Sequence, residues 1–167
     1  MQLLCIVSMV AAMASAAPVQ PAASAQTKAP AAAAAKKPAA AGRTIEITGA
    51  DTMKYSVTSI QAKPGETLHI VLKNVGTVPK IAMAHNFVAL KAGTDAAAFS
   101  TAAVSARDTE YIPAAMKASI LASTKLAGPG ETVEVTFKVP TKPGTYTYMC
   151  TFPGHFAAGM KGEITVK

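Results

Sequence analysis

Residues 144–167 read GTYTYMCTFPGHFAAGMKGEITVK, a pattern typical of two short strands joined by a loop. The first strand-like run, Tyr146–Cys150, follows the turn signal Lys-Pro-Gly-Thr at 142–145. The second run, 162–167, alternates polar and apolar side chains, as a half-buried strand does. Between the two runs lies a loop shaped by proline and glycine.

Similar runs occur earlier in the chain. Residues 44–48 alternate in the same way, and so do residues 132–139, whose valines and Phe137 share one face. The run Thr67–Asn74 follows another turn signal, Lys-Pro-Gly-Glu at 63–66. Short strands at regular spacing favour an antiparallel sandwich or barrel. We therefore predict an all-β fold in which one sheet packs on another.

One segment departs from this pattern. Residues 94–104 contain strong helix formers, with Thr94 as the candidate N-cap and an acidic residue in the first turn. A second, weaker helical turn is predicted at 113–117. Residues 94–118 are thus expected to form a short helical flap inserted between strands.

The amino-acid composition excludes some classes of protein. The chain has 167 residues and a net charge of +7, but only 15% of its residues are charged and 5% are aromatic. This balance argues against a nucleic-acid binder and against disorder of the whole chain. Residues 43–167 are enough for one domain with a core of its own.

The first 42 residues are predicted to lie outside that domain. Residues 1–17 form an apolar run without charged side chains that ends in Ala-Ser-Ala at 14–16, which indicates a secretory signal peptide. Cleavage near Ala16 or Ala17 would remove Cys5. The basic start of a signal is missing, and the alternative is an uncleaved anchor, although the run is short for a membrane span.

Residues 18–42 are predicted to be a linker, with 12 alanines, 4 prolines and 3 lysines among 25 residues. The lysines would serve solubility or attract anionic lipid or cell wall. We expect an exported protein in the periplasm or at the outer face of the cytoplasmic membrane. The linker would allow tethering to the membrane or envelope.

Three residues of the late loop suggest a metal site. Without Cys5, Cys150 has no partner for an intramolecular disulfide, so a lone thiol in an exported protein needs protection from oxidation. His155 and Met160 follow at intervals of five residues. Taken alone, each residue has an ordinary structural explanation: Cys150 as a small buried residue, His155 as a surface imidazole and Met160 as a side chain that fills a gap in the core. Together they provide a thiolate, an imidazole and a thioether, which favour copper; zinc rarely takes methionine as a ligand.

A second histidine upstream would complete the set. His69 lies in the middle of a predicted apolar strand, where a satisfied or partly exposed histidine is the simpler interpretation. His85 precedes Asn86, whose amide could tie two loops together, and opens the predicted strand 85–88. We therefore favour His85 as the ligand.

These motifs resemble the azurins and auracyanins, over residues 44–167. The similarity rests on the strings Met83–Val88, Cys150–His155 and Met160–Gly162, with further agreement at Asp51–Tyr55, Val78–Lys80 and Thr124–Leu126. The Cys-Thr-Phe-Pro-Gly-His string followed by Met and Lys-Gly is highly specific. The resemblance implies a cupredoxin, which is a Greek-key β-sandwich that carries single electrons on one type 1 (blue) copper, with a helical flap as in azurins.

The resemblance also implies roles for individual residues. His85, Cys150 and His155 would be strong copper ligands in one plane, with Met160 as a long axial ligand. Around them, the side chain of Asn86 and the backbone of Thr151 and Phe152 would bond across the loops and to the cysteine sulfur.

Two departures from azurin bear on the copper site. Four residues separate His155 from Met160, as in auracyanins and plastocyanins, where azurins have three. Ala84 stands where azurins have a glycine whose carbonyl is a weak fifth ligand, so we expect a four-coordinate site with that carbonyl at most a weak fifth contact. The amino-terminal disulfide of azurins is also absent.

Electrons are expected to pass through an edge of His155. This edge would project through an apolar patch that contains Met83, Val78, Phe152 and Pro153. Suitable partners are redox proteins such as a c-type cytochrome or a respiratory or photosynthetic complex. A copper storage or delivery module is the main alternative function. A multicopper enzyme would need more ligands than three histidines provide, and a purely structural sandwich would leave the Cys-His-Met loop unexplained.

Overall fold

The computed structural model describes residues 42–167. The predicted signal segment and all but the last residue of the predicted linker lie outside the described residues, so both remain predictions. The strands are β1 Arg43–Ala50, β2 Lys54–Tyr55, β3 Ser59–Ala62, β4 Thr67–Asn74, β5 Val88–Leu90, β6 Ile120–Ser123, β7 Thr132–Lys138, β8 Gly144–Met149 and β9 Lys161–Val166. One helix, α1 Ala96–Ala103, and two 3-10 helices, Arg107–Thr109 and Ala114–Ser119, lie between β5 and β6.

The strands form two sheets that enclose one core. One sheet has the order β2-β1-β4-β7 and the other the order β3-β9-β8-β5-β6. The predicted Greek-key β-sandwich is confirmed, but the expectation of antiparallel pairing is wrong at two places, since β1 pairs parallel to β4 and β3 parallel to β9. Between β1 and β4 the chain crosses to the other sheet through β3. Such a crossover connection allows β4 to return in the same direction as β1.

The alternation of side chains along the strands produces the core. Leu68, Ile70 and Leu72 point inward from β4 and are fully buried. From the opposite sheet Tyr148 stacks on Phe87 with ring centroids 4.9 Å apart. Burial of such side chains contributes roughly 1.5 to 3 kcal/mol each and drives the two sheets together.

The flap covers the outer face of the five-stranded sheet. Phe99 of α1 is fully buried against Val88, Leu90 and Met149, which point away from the main core. This explains why every residue of β5 is buried. The predicted flap is confirmed, although the N-cap is Asp95 and not Thr94, because the Asp95 carboxylate accepts the N–H groups of residues 97 and 98. Within residues 42–167, no helix is both long and apolar enough to cross a bilayer.

A glycine on β9 is required by its neighbour across the sheet. Gly162 pairs with Tyr148, and a Cβ at this position would collide with the tyrosine hydroxyl and lie 2.6 Å from the carbonyl oxygen of Thr58. We expect Gly162→Ala to lower the free energy of unfolding by about 1 to 3 kcal/mol, the cost of overpacking a well-filled interior. Chemical denaturation measures this. Glu163→Ala, at the adjacent exposed position, is the control and should change stability by less than about 0.5 kcal/mol; equal effects of the two variants would contradict the prediction.

Candidate metal centre

Two loops at one end of the sandwich carry the predicted ligands. His85 lies before β5 and forms an isolated bridge with Ala127, exchanging backbone hydrogen bonds of 3.0 and 2.7 Å. The prediction that His85 opens a strand is therefore wrong, because β5 begins at Val88. Cys150 follows the last residue of β8, and the loop from there to β9 contains His155 and Met160.

Three metal-ligating side chains converge in the interior. One donor atom from each of His85, Cys150 and His155 lies within 4.8 Å of the others, and within residues 42–167 no other group of three or more His, Cys, Asp or Glu side chains does so. The Nδ1 atom of His155 is 3.3 Å from Nδ1 of His85 and 3.4 Å from Sγ of Cys150. His85 and Cys150 are completely buried, whereas His155 retains 2% exposure.

Burial keeps this group uncharged in the absence of metal. It lowers the pKa of His155 to about 4, with a further contribution from the neighbouring His85. It also lowers the pKa of His85, against smaller raising effects of the Asp51 carboxylate and the Ala50 carbonyl. Burial raises the pKa of the Cys150 thiol to about 12, although the backbone N–H groups of Asn86 and Phe152 act in the opposite direction. Both imidazoles are thus neutral at pH 7, and a metal ion must displace the thiol proton when it binds.

The donor chemistry fits copper. The converging group contains one thiol, two imidazoles and no carboxylate. Soft sulfur together with imidazole suits copper in both of its common oxidation states. The Nε2 atom of His85 is buried without a hydrogen-bond partner among the described residues, while Nδ1 of the same ring faces Nδ1 of His155.

The remaining predicted ligands lie beside this group. Met160 is fully buried. A Cβ at Gly49 would lie 2.8 Å from the ring of His85 and 2.9 Å from the terminal methyl of Met160, which shows that both side chains pack on the same glycine. The Ala84 carbonyl oxygen is 3.9 Å from the Cys150 sulfur, and it therefore faces the converging group.

The two loops are joined by a buried amide. The side chain of Asn86 accepts the backbone N–H of Thr151 at 2.9 Å and donates to its hydroxyl at 2.8 Å. Both residues are almost completely buried. These bonds connect the residue after His85 to the residue after Cys150, so they set the separation of the two ligands.

The residues of the predicted electron-exit patch have mixed exposure. Phe152 is 8% exposed and packs on His155 with ring centroids 4.8 Å apart. Val78, Met83 and Pro153 are half-buried. Near these residues Ile81 is 76% exposed, a feature that sequence reasoning left out of the patch.

Sequence reasoning also missed the contact of the flap with this end of the sandwich. Tyr111 packs edge-on against Phe152 at 5.1 Å, and the backbone carbonyl of Glu110 accepts from the Asn86 amide at 3.4 Å. Both flap residues adopt the left-handed backbone conformation, with φ of 61° and 56°. Only the inserted flap, remote in sequence, brings them here, and no local pattern around them indicated it.

His69 lies away from the metal centre, in the middle of β4. Its ring contacts Glu134 at 3.1 Å and the hydroxyl of Thr44 at 3.4 Å, on the outer face of the sheet. The ring therefore has polar partners of its own, as expected for a satisfied, partly exposed histidine.

In the part of the chain that the structure describes, a β-sandwich places a cysteine and two histidines together at one buried end, and this arrangement defines a candidate site for a soft metal ion. Residues 41–167 match the family model of copper binding proteins, plastocyanin/azurin family, and the chain belongs to this family. Among curated relatives, Auracyanin-B of Chloroflexus aurantiacus is 37% identical over 126 residues, covering 74% of this chain and 52% of that protein. The chain thus spans about half the length of this relative.

Two further comparisons cover nearly the whole of the other protein. Azurin of Alcaligenes faecalis is 36% identical over 123 residues, covering 72% of this chain and 94% of the azurin. The crystal structure of dithionite-reduced auracyanin from Roseiflexus castenholzii is 37% identical, with a TM-score of 0.67, and the match covers 77% of this chain and 99% of that structure. The predicted resemblance to azurins and auracyanins is confirmed, and with it copper as the cofactor.

Proposed function

We propose that this protein is a blue copper electron-transfer protein in which His85, Cys150 and His155 would be the strong copper ligands and Met160 a weak fourth ligand. The observation that carries the proposal is the convergence of the three donor atoms within 4.8 Å at a buried site. Bound copper would supply one-electron chemistry between Cu(II) and Cu(I). The Ala84 carbonyl, with alanine in place of glycine, would contribute at most a weak fifth contact.

The surrounding protein favours rapid electron transfer because it positions the ligands in advance. The bonds from Asn86 to Thr151 and the backbone pairing of His85 with Ala127 hold both loops. A site that changes little between oxidation states exchanges electrons with little reorganisation. His155 is the strong ligand with residual exposure, and it would face the partner through the patch of Val78, Met83, Phe152 and Pro153.

Copper storage or delivery is the competing function, and kinetics separates the two. We expect the copper-loaded protein to show an intense visible absorption and fast electron self-exchange in NMR line-broadening experiments. It should release copper slowly to an excess of a strong chelator, because the ligands are buried and held by hydrogen bonds. Slow self-exchange together with rapid loss of the ion to the chelator would instead favour storage or delivery.

The partner class is part of the proposal. Small apolar contact areas suit redox complexes, which must dissociate after each transfer. A c-type cytochrome or a respiratory or photosynthetic complex would fit such a patch. Stopped-flow mixing of the reduced protein with purified candidates of each kind would identify the fastest acceptor.

The exported location is proposed from residues 1–42. An apolar signal-like segment followed by an Ala/Pro/Lys-rich linker supports placement in the periplasm or at the outer face of the cytoplasmic membrane. Amino-terminal sequencing of native material would distinguish cleavage near Ala16 from a retained anchor that tethers the domain to the membrane or envelope.

Because Met160 is proposed as a weak copper ligand, we predict that replacing it changes the reduction potential without loss of copper. We expect Met160→Leu to raise the reduction potential by more than about 59 mV, a tenfold change in the ratio of reduced to oxidised protein. The reason is that removing the thioether destabilises Cu(II) more than Cu(I). Cyclic voltammetry measures the shift.

A second buried methionine is a matched control for this substitution. Met149 is equally buried, but its side chain packs under the flap, outside the core cluster that contains Cys150 and Met160. Met149→Leu should therefore leave the potential unchanged. Equal potentials for Met160→Leu and the unmodified protein would place the axial donor elsewhere.

A further inference from the structure

The hairpin formed by β1 and β2 supplies none of the four proposed ligands, yet its side chains contact both ligand-bearing loops. We infer that Tyr55 and Lys54, the two residues of β2, are positioning residues that hold the two loops of the metal centre from outside. This inference rests on the proposed copper ligands. It assigns a role to side chains that do not touch the metal.

Tyr55 acts on the loop that carries His85. Its side chain is 95% buried, and its hydroxyl donates a hydrogen bond to the backbone carbonyl of Asn86. The Tyr55 ring packs against Tyr148 at 5.8 Å, so the core determines the position of the hydroxyl. The side chain of the same Asn86 accepts the backbone N–H of Thr151 at 2.9 Å, which joins the His85 loop to the Cys150 loop. Tyr55 therefore restrains the residue that connects the two loops.

Lys54 acts on the loop between His155 and Met160. Its ammonium group donates to the carbonyl oxygen of Ala158, in the middle of this loop. The next residue is Gly159, with φ of 93°, and a Cβ there would lie 2.6 Å from the Lys54 nitrogen. The glycine thus leaves the space that the lysine occupies. Because neighbouring residues of a strand point to opposite sides, Lys54 and Tyr55 reach different loops.

The rest of the hairpin is held firmly against the site. Gly49 pairs with Tyr55 and lies under His85 and Met160, where a Cβ would come within 3 Å of both side chains. In the turn, the Asp51 carboxylate accepts the backbone N–H of Thr77 at 2.8 Å and its hydroxyl at 3.0 Å. Hydrogen bonds to this carboxylate lower its pKa, which is consistent with a firm contact. The hairpin is therefore a fixed support rather than a loose edge.

Two conservative variants test the inference, first on the metal-free protein. Tyr55→Phe removes the hydroxyl alone, and we expect amide hydrogen exchange at Asn86 and Thr151 to become about 5-fold faster, as loss of one hydrogen bond implies. Lys54→Met removes the contact to Ala158, and exchange at Met160 should become faster by a similar factor, whereas Lys54→Arg, which retains a charged donor, should restore protection. In the copper-loaded protein, Tyr55→Phe should shift the reduction potential, because Asn86 joins the two loops that carry the proposed ligands.

The chain offers matched controls far from the metal centre. Tyr146 is also buried and donates its hydroxyl to a backbone carbonyl, that of Lys142, at 2.7 Å. Lys138 is an exposed lysine at the end of β7 and pairs with Thr67 at the start of β4. Tyr146→Phe and Lys138→Met should leave exchange at the loop amides and the potential unchanged.

The inference is overturned if the β2 variants and their controls give the same exchange rates at Asn86, Thr151 and Met160. Should Tyr55→Phe fail to fold, the exposed Lys54 variants decide the result alone. Hydrogen exchange is measured without copper, whereas electron self-exchange tests the proposed function of the copper-loaded protein. Failure of the inference about β2 is therefore distinguishable from failure of the proposed electron-transfer function.

Discussion

Replacing Cys150 by serine is expected to abolish the intense visible absorption of the copper-loaded protein while the fold is retained. The band requires a thiolate bound to Cu(II), and serine does not provide one. We also expect copper affinity to fall by more than about 100-fold, since loss of groups outside the ligand set alone costs 10- to 100-fold. The Ala84 carbonyl, which accepts from the Cys150 thiol at 3.9 Å, can accept from a serine hydroxyl, so the buried polar atom would be satisfied.

Absorption spectroscopy and circular dichroism together check this prediction. Far-ultraviolet circular dichroism of the metal-free variant should match that of the unmodified protein. Cys5→Ser, in the predicted signal segment, is the matched control and should leave the visible band unchanged. A Cys150→Ser protein that keeps the band would refute the ligand assignment.

Replacing Asn86 by alanine is expected to produce the second large effect, a loss of about 2 to 4 kcal/mol in the free energy of unfolding. The reason is that both the N–H and the hydroxyl of Thr151 would lose their partners in a buried site, at roughly 1 to 2 kcal/mol each. The visible spectrum of the copper-loaded variant should also change, because the bond that sets the loop separation is gone. Urea unfolding of the metal-free protein measures the first effect.

A double-mutant cycle with Thr151→Ala isolates the bond between the two side chains. Its coupling energy should lie near 1 kcal/mol, typical of one buried hydrogen bond. Tyr146→Phe is the control, because Tyr146 is buried and its hydroxyl bonds to the Lys142 carbonyl at 2.7 Å, away from both ligand loops. It should lower stability with little effect on the copper spectrum. Additive effects of the Asn86 and Thr151 substitutions on the free energy of unfolding would contradict the proposed bond between the two side chains.

Much of the fold could be predicted from local pattern. Alternating side chains predict β1, β7 and β9, because each of these strands buries one face, and the Lys-Pro-Gly turn signals predict β4 and β8 after them. The sequence pattern predicts a strand that starts at His85, but β5 begins three residues later, at Val88, because His85 forms an isolated bridge before the strand. The parallel pairing of β1 with β4 could not be predicted from the sequence. It arises because the chain crosses to the other sheet, through β3, between these two strands.

The metal centre was accessible from sequence for a different reason. Cys150, His155 and Met160 lie within one loop, and their side-chain chemistry is unusual in combination, so short spacing alone predicts a common site. The choice of His85 over His69 rested on its neighbour Asn86. The structure places the ring of His85 3.3 Å from that of His155, whereas His69 contacts Glu134.

Local patterns predict the sandwich class, the flap and the candidate metal donors, because periodicity, turn residues and ligand chemistry are local properties. Which remote segments support the metal centre depends on the tertiary structure. Gly49 lies beneath His85, and the Tyr55 hydroxyl bonds to the Asn86 carbonyl. Lys54 bonds to the loop between His155 and Met160, and Tyr111 packs on Phe152. Each of these contacts joins side chains from different elements. Such contacts form only when both sheets and the flap pack around one core, and no spacing along the chain encodes that arrangement.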